Sequence, residues 1–169
     1  KFVDLICEYE ENFDEYLARF PPSNTNALIP VSYFGFRWAT QIDPVWNAHF
    51  LSCVIALSKE IEAARISKSA ECVFSYRYQP DDESGDLFDR ESNWHGFMAK
   101  SLQLSKEFEF VTTCDISEFY PRLGHHRLEN ALLQIAGDTT YPKRIMSFLS
   151  NFSNTRSFGL PIGGPAARI

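Results

Sequence analysis

The residues best suited to chemistry lie in one segment, residues 107–121, which reads EFEFVTTCDISEFYP. Its alternating apolar side chains predict a β-strand over residues 107–115 that ends on Asp115. A carboxylate at the end of a strand can bind a hard cation, and the neighbouring carbonyl of Ile116 can supply a second oxygen. Two Mg²⁺ ions about 4 Å apart can then stabilise the attacking and leaving oxygens of a nucleotidyl transfer. For Asp115 considered alone, a turn or helix-capping role is the alternative.

An aromatic side chain, Tyr120, follows Asp115 five residues later. Its flat ring could lie under the sugar of an incoming nucleotide and crowd a 2′-hydroxyl, the group that distinguishes ribonucleotides from deoxyribonucleotides. For Phe119 and Tyr120 taken alone, packing in a core is the alternative.

A glycine-rich segment, residues 158–169, reads FGLPIGGPAARI. Glycine permits close backbone approach and unusual values of φ, so such a loop can lie directly against a ligand. An ordinary turn that leads into a helix is the alternative for this segment.

Together, DISEFYPRLGHHRLENAL and FGLPIGGPAAR resemble motifs A and B of bacterial reverse transcriptases. The resemblance is to the unknown-group and abortive-infection enzymes of bacterial antiphage defence (the DRT and Abi types), and it covers roughly residues 108–169. The more widespread pattern of the family has glutamine where this chain has Ile162, so the role of that glutamine is not transferred to this chain.

The resemblance implies that Asp115 is the first catalytic carboxylate and that it binds metal with the backbone carbonyl of Ile116. The implied cofactor is Mg²⁺, with two ions in the complete site, and Tyr120 is the implied sugar gate. The loop that contacts template and nucleotide is implied to consist of Gly159, Pro161, Ile162, Gly163 and Gly164.

The implied function is RNA-directed DNA synthesis, or template-independent DNA synthesis, in antiphage defence. The expected partners are an RNA template, a DNA product, deoxynucleoside triphosphates and a non-coding RNA, and the full-length protein is expected to be a homo-oligomer. Arg77 is the first candidate for binding the triphosphate, because arginine can bind phosphate oxygens bidentately, and Lys100 is the second. A surface arginine on a strand is the alternative for Arg77.

Enzymes of this family also need a later aromatic-x-Asp-Asp hairpin, and this sequence contains none, since its only adjacent aspartates are Asp81-Asp82. The sequence therefore predicts a piece of a longer enzyme, inactive by itself. The alternative is a non-catalytic nucleic-acid-binding or assembly subunit with a polymerase-like fold. A viral-type RNA-dependent RNA polymerase is disfavoured by the aromatic side chain of Tyr120.

The elements that must position these residues follow from apolar periodicity. Apolar side chains at steps of three and four predict helices over residues 2–20, from Asp43-Pro44 to about 66, from Trp94, over 125–136 and over 141–153. Residues 72–78 are predicted to form a strand, and two segments are predicted to connect elements: a loop at 21–42, and a loop or hairpin at 79–92.

The predicted fold class is α+β, with the right-hand fold of reverse transcriptases represented by the fingers and the first part of the palm. The predicted regions are residues 1–70, a helical N-terminal region of the fingers; 71–107, fingers strands with a connecting helix; and 108–169, the start of the palm.

Composition narrows the class of protein further. The net charge is −6, but residues 97–169 carry eight Lys/Arg against six Asp/Glu, so the motifs lie in the more basic part. The four cysteines are widely scattered, which argues against a zinc site and favours reduced thiols. His125 and His126 are expected at the surface, with a nucleic-acid contact as the alternative. With no apolar run near the roughly 20 residues of a membrane span, the expected location is the cytoplasm.

Overall fold

The chain folds into a mixed α+β structure in a computed structural model that describes residues 1–152, 157–162 and 164–169. This confirms the predicted α+β class. Two compact units are formed: a first unit of Lys1–Leu57 and Glu118–Arg168, and a second unit that contains Ser58–Ser117. The predicted regions bounded at residues 70 and 107 describe a different division of the chain and stay a prediction. No described helix is long and apolar enough to cross a membrane.

The first unit begins with two short helices, α1 (Phe2–Glu11) and α2 (Phe13–Arg19). The predicted helix over residues 2–20 is therefore formed, with an interruption at Asn12, where φ is −116°. The chain leaves α2 before the prolines at positions 21 and 22, which cannot donate a helical hydrogen bond.

An antiparallel hairpin follows, made of β1 (Asn24–Pro30) and β2 (Phe36–Ile42). The prediction that residues 21–42 form a loop is wrong. All seven residues of β1 are exposed, so the strand shows no alternation between buried apolar and exposed polar side chains. Without that alternation the sequence gives no period-two signal.

Helix α3 (Pro44–Ala56) starts where the sequence predicts. The Asp43 carboxylate accepts hydrogen bonds from the backbone N–H groups of Val45 at 3.0 Å and Trp46 at 3.2 Å, a side-chain N-cap. The predicted helix to about residue 66 is interrupted at Leu57, beyond which α4 (Ser58–Ala64) belongs to the second unit.

The core of the first unit lies between α3 and two later helices, α7 (His125–Ala136) and α8 (Thr140–Phe152). Both helices confirm the predictions for residues 125–136 and 141–153 to within a residue. The rings of Phe50 and Phe148 stack with their centroids 4.5 Å apart, and Leu149 is fully buried beside them. Burial of these large apolar side chains is the main stabilising contribution here.

The second unit contains the short hairpin β3 (Tyr78–Asp81) with β4 (Asp86–Phe88), and helix α5 (Trp94–Leu104). The hairpin and α5 confirm the predictions for residues 79–92 and for a helix from Trp94. The strand predicted over residues 72–78 is wrong, because only Tyr78 joins a ladder. Tyr76 has a φ of +38°, which no regular strand accommodates.

Candidate functional site

The aromatic part of the motif-A segment forms a single helical turn, α6 (Phe119–Arg122). Glu118 precedes it with φ at +54°, and the Arg122 guanidinium donates to the Glu118 carboxylate at 2.6 Å and 2.8 Å. The Tyr120 ring is half-buried and meets the Phe119 ring edge to face, with the centroids 5.5 Å apart. The structure therefore gives Tyr120 a defined position in the first unit.

The two segments that carry the motifs are joined by backbone hydrogen bonds, which we call the A–B junction (residues 120–125 with 157–160). The Leu160 N–H donates to the Tyr120 carbonyl at 2.9 Å, and the Gly159 N–H donates to the Leu123 carbonyl at 2.8 Å. These two segments are far apart in the sequence, so only tertiary folding could bring them together.

His125 closes the A–B junction from the start of α7. Its Nε2–H donates to the Gly159 carbonyl over 2.7 Å, and its backbone N–H donates to the Ser157 carbonyl at 2.9 Å. The prediction that His125 lies at the surface is wrong, since the residue is buried, whereas His126 is exposed as predicted. Sequence patterns could not separate these two histidines, because they are adjacent at a helix start.

Gly159 has a φ of +103°, a value that L-amino acids rarely adopt. A Cβ atom built on this residue would meet the Pro121 carbonyl oxygen at 3.4 Å, an ordinary contact distance. The glycine is therefore required by the backbone conformation of the junction more than by lack of space.

The motif-B loop also forms one wall of a cleft of about 720 Å³. The Ile162 carbonyl accepts from the Thr40 N–H of β2 at 3.0 Å, which fixes the loop against the hairpin. Gly163 lies outside the described residues. The other walls come from the β1–β2 hairpin and the start of α3, so that the lining comprises Ser23, Thr25, Ile29, Ala39, Thr40, Gln41, Ile42, Asp43, Pro44, Asn47, Pro161, Ile162, Gly164 and Ala167.

Arg37 is a functional candidate that the sequence analysis missed. Facing residues of an antiparallel pair project to the same side, and sides alternate along each strand. The pairs Thr25↔Gln41 and Ile29↔Arg37 therefore share one face of the hairpin. Thr25, Gln41 and Ile29 line the cleft, as do Thr40 and Ile42 of the other face. Arg37 is exposed and forms no ion pair with the described residues. Recognising residues 36–42 as a strand would have identified it.

Asp115 and Ile116 belong to the second unit, and both are exposed. The strand predicted over residues 107–115 is wrong: the structure has neither helix nor strand between residues 108 and 116. The reason is that a strand needs a partner, and the backbone between residues 108 and 116 makes no backbone hydrogen bonds with the described residues. The Asp115 carboxylate likewise has no hydrogen bond or ion pair among the described residues, so its oxygens are free to accept a hard cation.

The two residues predicted to bind a triphosphate are held by carboxylates of the second unit. Arg77 is buried, with its guanidinium 2.5 Å from the Glu62 carboxylate and 2.6 Å from the Ile66 carbonyl. Lys100 lies 2.5 Å from the Glu71 carboxylate, and this contact lowers the pKa of Glu71. Binding of phosphate by either residue would require these ion pairs to open, which is costly for the buried one.

The adjacent aspartates of the second unit belong to the β3–β4 turn. Asp81 accepts hydrogen bonds from the Ser84 hydroxyl at 2.7 Å and the Glu83 N–H at 3.0 Å. The first of these bonds, supported by the second, lowers the pKa of Asp81. Asp81 therefore has a structural role in the turn.

A buried polar cluster in the first unit joins α1 to α3. The His49 imidazole lies 3.5 Å from the Glu10 carboxylate on one side and 3.5 Å from the Cys53 sulfur on the other. The ligand atoms of these three residues lie within 4.8 Å of one another, a spacing that could hold a metal ion. However, Glu10 already pairs with the Arg144 guanidinium.

The protonation states of this cluster argue against a role as a nucleophile. Burial lowers the pKa of His49, with Glu10 opposing this shift and Arg144 adding to it. Burial likewise raises the pKa of the Cys53 thiol to about 12, so the thiol is protonated at neutral pH and is a poor nucleophile.

Comparisons of this chain with protein-family models, with curated proteins and with solved structures find no match. A function for this protein therefore depends on the residues described above and on the resemblance of its motifs.

Proposed function

We propose that this chain carries the fingers and the first palm motifs of a reverse transcriptase, an RNA-directed or template-independent DNA polymerase with a right-hand fold. The A–B junction is the observation that supports this most directly. The two segments chosen from sequence as motifs A and B are hydrogen-bonded to each other, and the motif-B loop lines a cleft. By the same resemblance we propose a role in bacterial antiphage defence, in the cytoplasm, by a homo-oligomer that uses a non-coding RNA.

In this proposal Asp115 and the carbonyl of Ile116 hold Mg²⁺. Both are exposed, and the carboxylate makes no competing ion pair within the described residues, which fits a hard-cation ligand. When bound, two Mg²⁺ ions would neutralise the charge that develops on the transferring phosphoryl group. Tyr120 discriminates against a 2′-hydroxyl with its ring.

We assign the triphosphate contact to Arg37 in preference to Arg77 or Lys100. Arg37 projects from the same face of the hairpin as the cleft-lining Thr25 and Ile29, and it has no ion pair among the described residues. Arg77 and Lys100, by contrast, are engaged by carboxylates. A guanidinium that is not already paired can bind phosphate bidentately without first breaking an internal contact.

The metal-binding role is tested with Asp115→Ala in the complete protein, assayed for incorporation of deoxynucleotides with Mg²⁺. We expect incorporation to be abolished and the free energy of unfolding to stay within about 0.5 kcal/mol, because the side chain is exposed and unpaired. Asp82→Ala is the matched control, since Asp82 is an exposed aspartate of the same unit. Full activity of Asp115→Ala would refute the proposed function.

The sugar-gate role is tested by comparing ribonucleotide and deoxyribonucleotide incorporation. Tyr120→Ala should increase the relative use of ribonucleotides, while Tyr120→Phe, which keeps the ring, should preserve discrimination. Unchanged discrimination in the alanine variant would remove Tyr120 from this role.

The triphosphate role is tested by the nucleotide KM. Loss of a charged hydrogen-bonding partner costs about 1.5–3 kcal/mol, so Arg37→Ala should raise KM roughly 10- to 150-fold. Arg19→Ala serves as the control, because Arg19 is an exposed arginine on a helix of the same unit. A KM equal to that of the control variant would contradict the assignment.

A non-catalytic nucleic-acid-binding or assembly subunit is the second candidate function. It is favoured by the ion pairs that hold Arg77 and Lys100 away from a ligand. Under this function the protein would bind oligonucleotides but incorporate no nucleotide with any divalent metal, and Asp115→Ala would change neither property.

A further inference from the structure

The hairpin β1–β2 presents aromatic rings on the face opposite Arg37. Along β2, Phe36 and Trp38 alternate with Arg37, so they project from the other face with Leu28 and Pro30, their partners on β1. The connecting turn carries two further rings. We call the set the aromatic tip surface, and its relative exposures are 99% for Tyr33, 96% for Phe34, 65% for Phe36 and 56% for Trp38.

The turn that carries these rings has a defined backbone. The N–H groups of Val31 and Ser32 donate to the Gly35 carbonyl at 2.9 Å and 3.3 Å. None of the four rings stacks on another aromatic ring within the described residues. Their faces are therefore available to a ligand, on a turn that limits the entropy lost when a ligand binds.

The hairpin that carries these rings has no acidic side chain that would repel a polyanion. Residues 21–42 contain no aspartate or glutamate and one arginine, although the whole chain has 22 acidic residues and a net charge of −6. A carboxylate-free hairpin in an acidic chain avoids the repulsion that phosphates would meet on other surfaces. Aromatic rings with accessible faces stack on unpaired bases irrespective of sequence.

We propose that the aromatic tip surface binds single-stranded nucleic acid by stacking of its bases on Tyr33, Phe34, Phe36 and Trp38. This proposal rests on the proposed function, in that it names the nucleic-acid partner of the same hairpin that bears Arg37. Single strands are specified because base faces are hidden in a duplex. Phosphate neutralisation contributes little, since Arg37, the one cation of residues 21–42, projects from the other face of the hairpin.

The test measures binding of fluorescently labelled oligo-dT and oligo-U, with an abasic oligonucleotide of equal length that keeps the phosphates and lacks the bases. Tyr33→Leu and Phe34→Leu should each weaken binding about fivefold or more, whereas Phe34→Trp should not. Phe2→Leu is the control, because Phe2 is an exposed phenylalanine outside the hairpin. The logarithm of the affinity should fall with the logarithm of salt concentration with a slope no steeper than about −0.7 to −1.4, as for one or two phosphate contacts.

Base-dependent binding that the leucine variants lose and Phe34→Trp keeps supports the proposal, and the dT and U arms tell whether DNA or RNA is preferred. Equal binding of the abasic strand, a steep salt slope, or no effect of the leucine variants overturns it. Self-association that disappears in the leucine variants, without oligonucleotide binding, also overturns it and identifies a second copy as the occupant. Asp115→Ala separates the two proposals, since it should bind oligonucleotides normally while losing incorporation. Incorporation retained in Asp115→Ala refutes the proposed function, whereas oligonucleotide binding retained in the leucine variants refutes the stacking surface.

Discussion

Replacement of Gly159 by alanine is the sharpest test of the A–B junction. The residue sits at a φ of +103°, donates its N–H to the Leu123 carbonyl and accepts from His125 through its own carbonyl. An alanine must either adopt this φ with strain or rotate out of it and weaken both hydrogen bonds. Either response acts on the contacts that join the two motifs.

The expected loss of stability follows from these two routes. Holding a residue with a Cβ atom in a sparsely populated backbone region costs about 1–3 kcal/mol. Rotating away instead gives up two hydrogen bonds at about 0.5–1.5 kcal/mol each. Since the chain takes the less costly route, Gly159→Ala should lower the free energy of unfolding by about 1–3 kcal/mol. Steric overlap adds little, because the added Cβ would lie 3.4 Å from the Pro121 carbonyl oxygen.

The assay is urea denaturation followed by circular dichroism, with the midpoint and the m-value fitted for each variant. A lower midpoint with an unchanged m-value reports a change in stability and not in the denatured state. The matched control is Gly124→Ala in the same junction, where φ is −74° and a Cβ would meet nothing within 4 Å. We expect the control to differ from the parent by no more than about 0.5 kcal/mol.

Equal stability of Gly159→Ala and Gly124→Ala would refute the structural reason given for this glycine. The positive φ of Gly159 would then not be needed for the fold, and contact with a ligand would better explain the glycine at this position. A loss in both variants would indicate that the junction tolerates no side chain at all.

Three further predictions concern the N-cap of α3, the four cysteines and His49. Removing the N-cap with Asp43→Ala should lower stability by about 1 kcal/mol while Asp43→Asn keeps most of it, as measured by urea denaturation. A thiol-labelling assay of the native protein at pH 8 should find Cys7, Cys72 and Cys114 reactive, because they are exposed. Cys53 should stay unreactive until the protein unfolds, because its thiol is buried with its pKa raised to about 12. Rapid labelling of Cys53 would contradict the packing of α3. Since the pKa of folded His49 lies below its ordinary value of 6.5, the unfolded chain binds the proton first as pH falls, so this contribution to stability is complete above about pH 6.5 and is lost below it. The stability difference between the parent and His49→Gln should therefore shrink between pH 7 and pH 5, and a constant difference would show that His49 is not the group that titrates.

Helices could be predicted from the sequence where regularly spaced apolar side chains bury one side of the helix. Helices α7 and α8 were predicted at nearly their observed bounds, and α3 at its observed start, because their apolar side chains recur at steps of three and four and face a common core. The start of α3 was also predictable, since an aspartate followed by proline satisfies the local hydrogen-bonding needs of a helix start.

Prediction failed where an element is exposed or where a long-range contact decides the backbone. The β1–β2 hairpin was missed because its strands bury too little to alternate. The apolar alternation at residues 72–78 suggested a strand, yet Arg65 donates to the carbonyls of Ser75 and Tyr76 at 2.9 Å and 2.7 Å and holds them out of any ladder. Residues 107–115 have a period-two pattern but no partner strand among the described residues.

The amino-acid sequence by itself determined the α+β class, the main helices and the two segments that resemble polymerase motifs, because each of these depends on residues close together in the chain. Only the tertiary structure decided that Tyr120 and Gly159 meet through backbone hydrogen bonds and that His125 is buried between them. It also decided that Arg77 is engaged by Glu62 while Arg37 stands free of ion pairs among the described residues. Partners in such contacts are set by chain topology, and no local pattern of residues encodes which distant carbonyl or carboxylate a given side chain will reach.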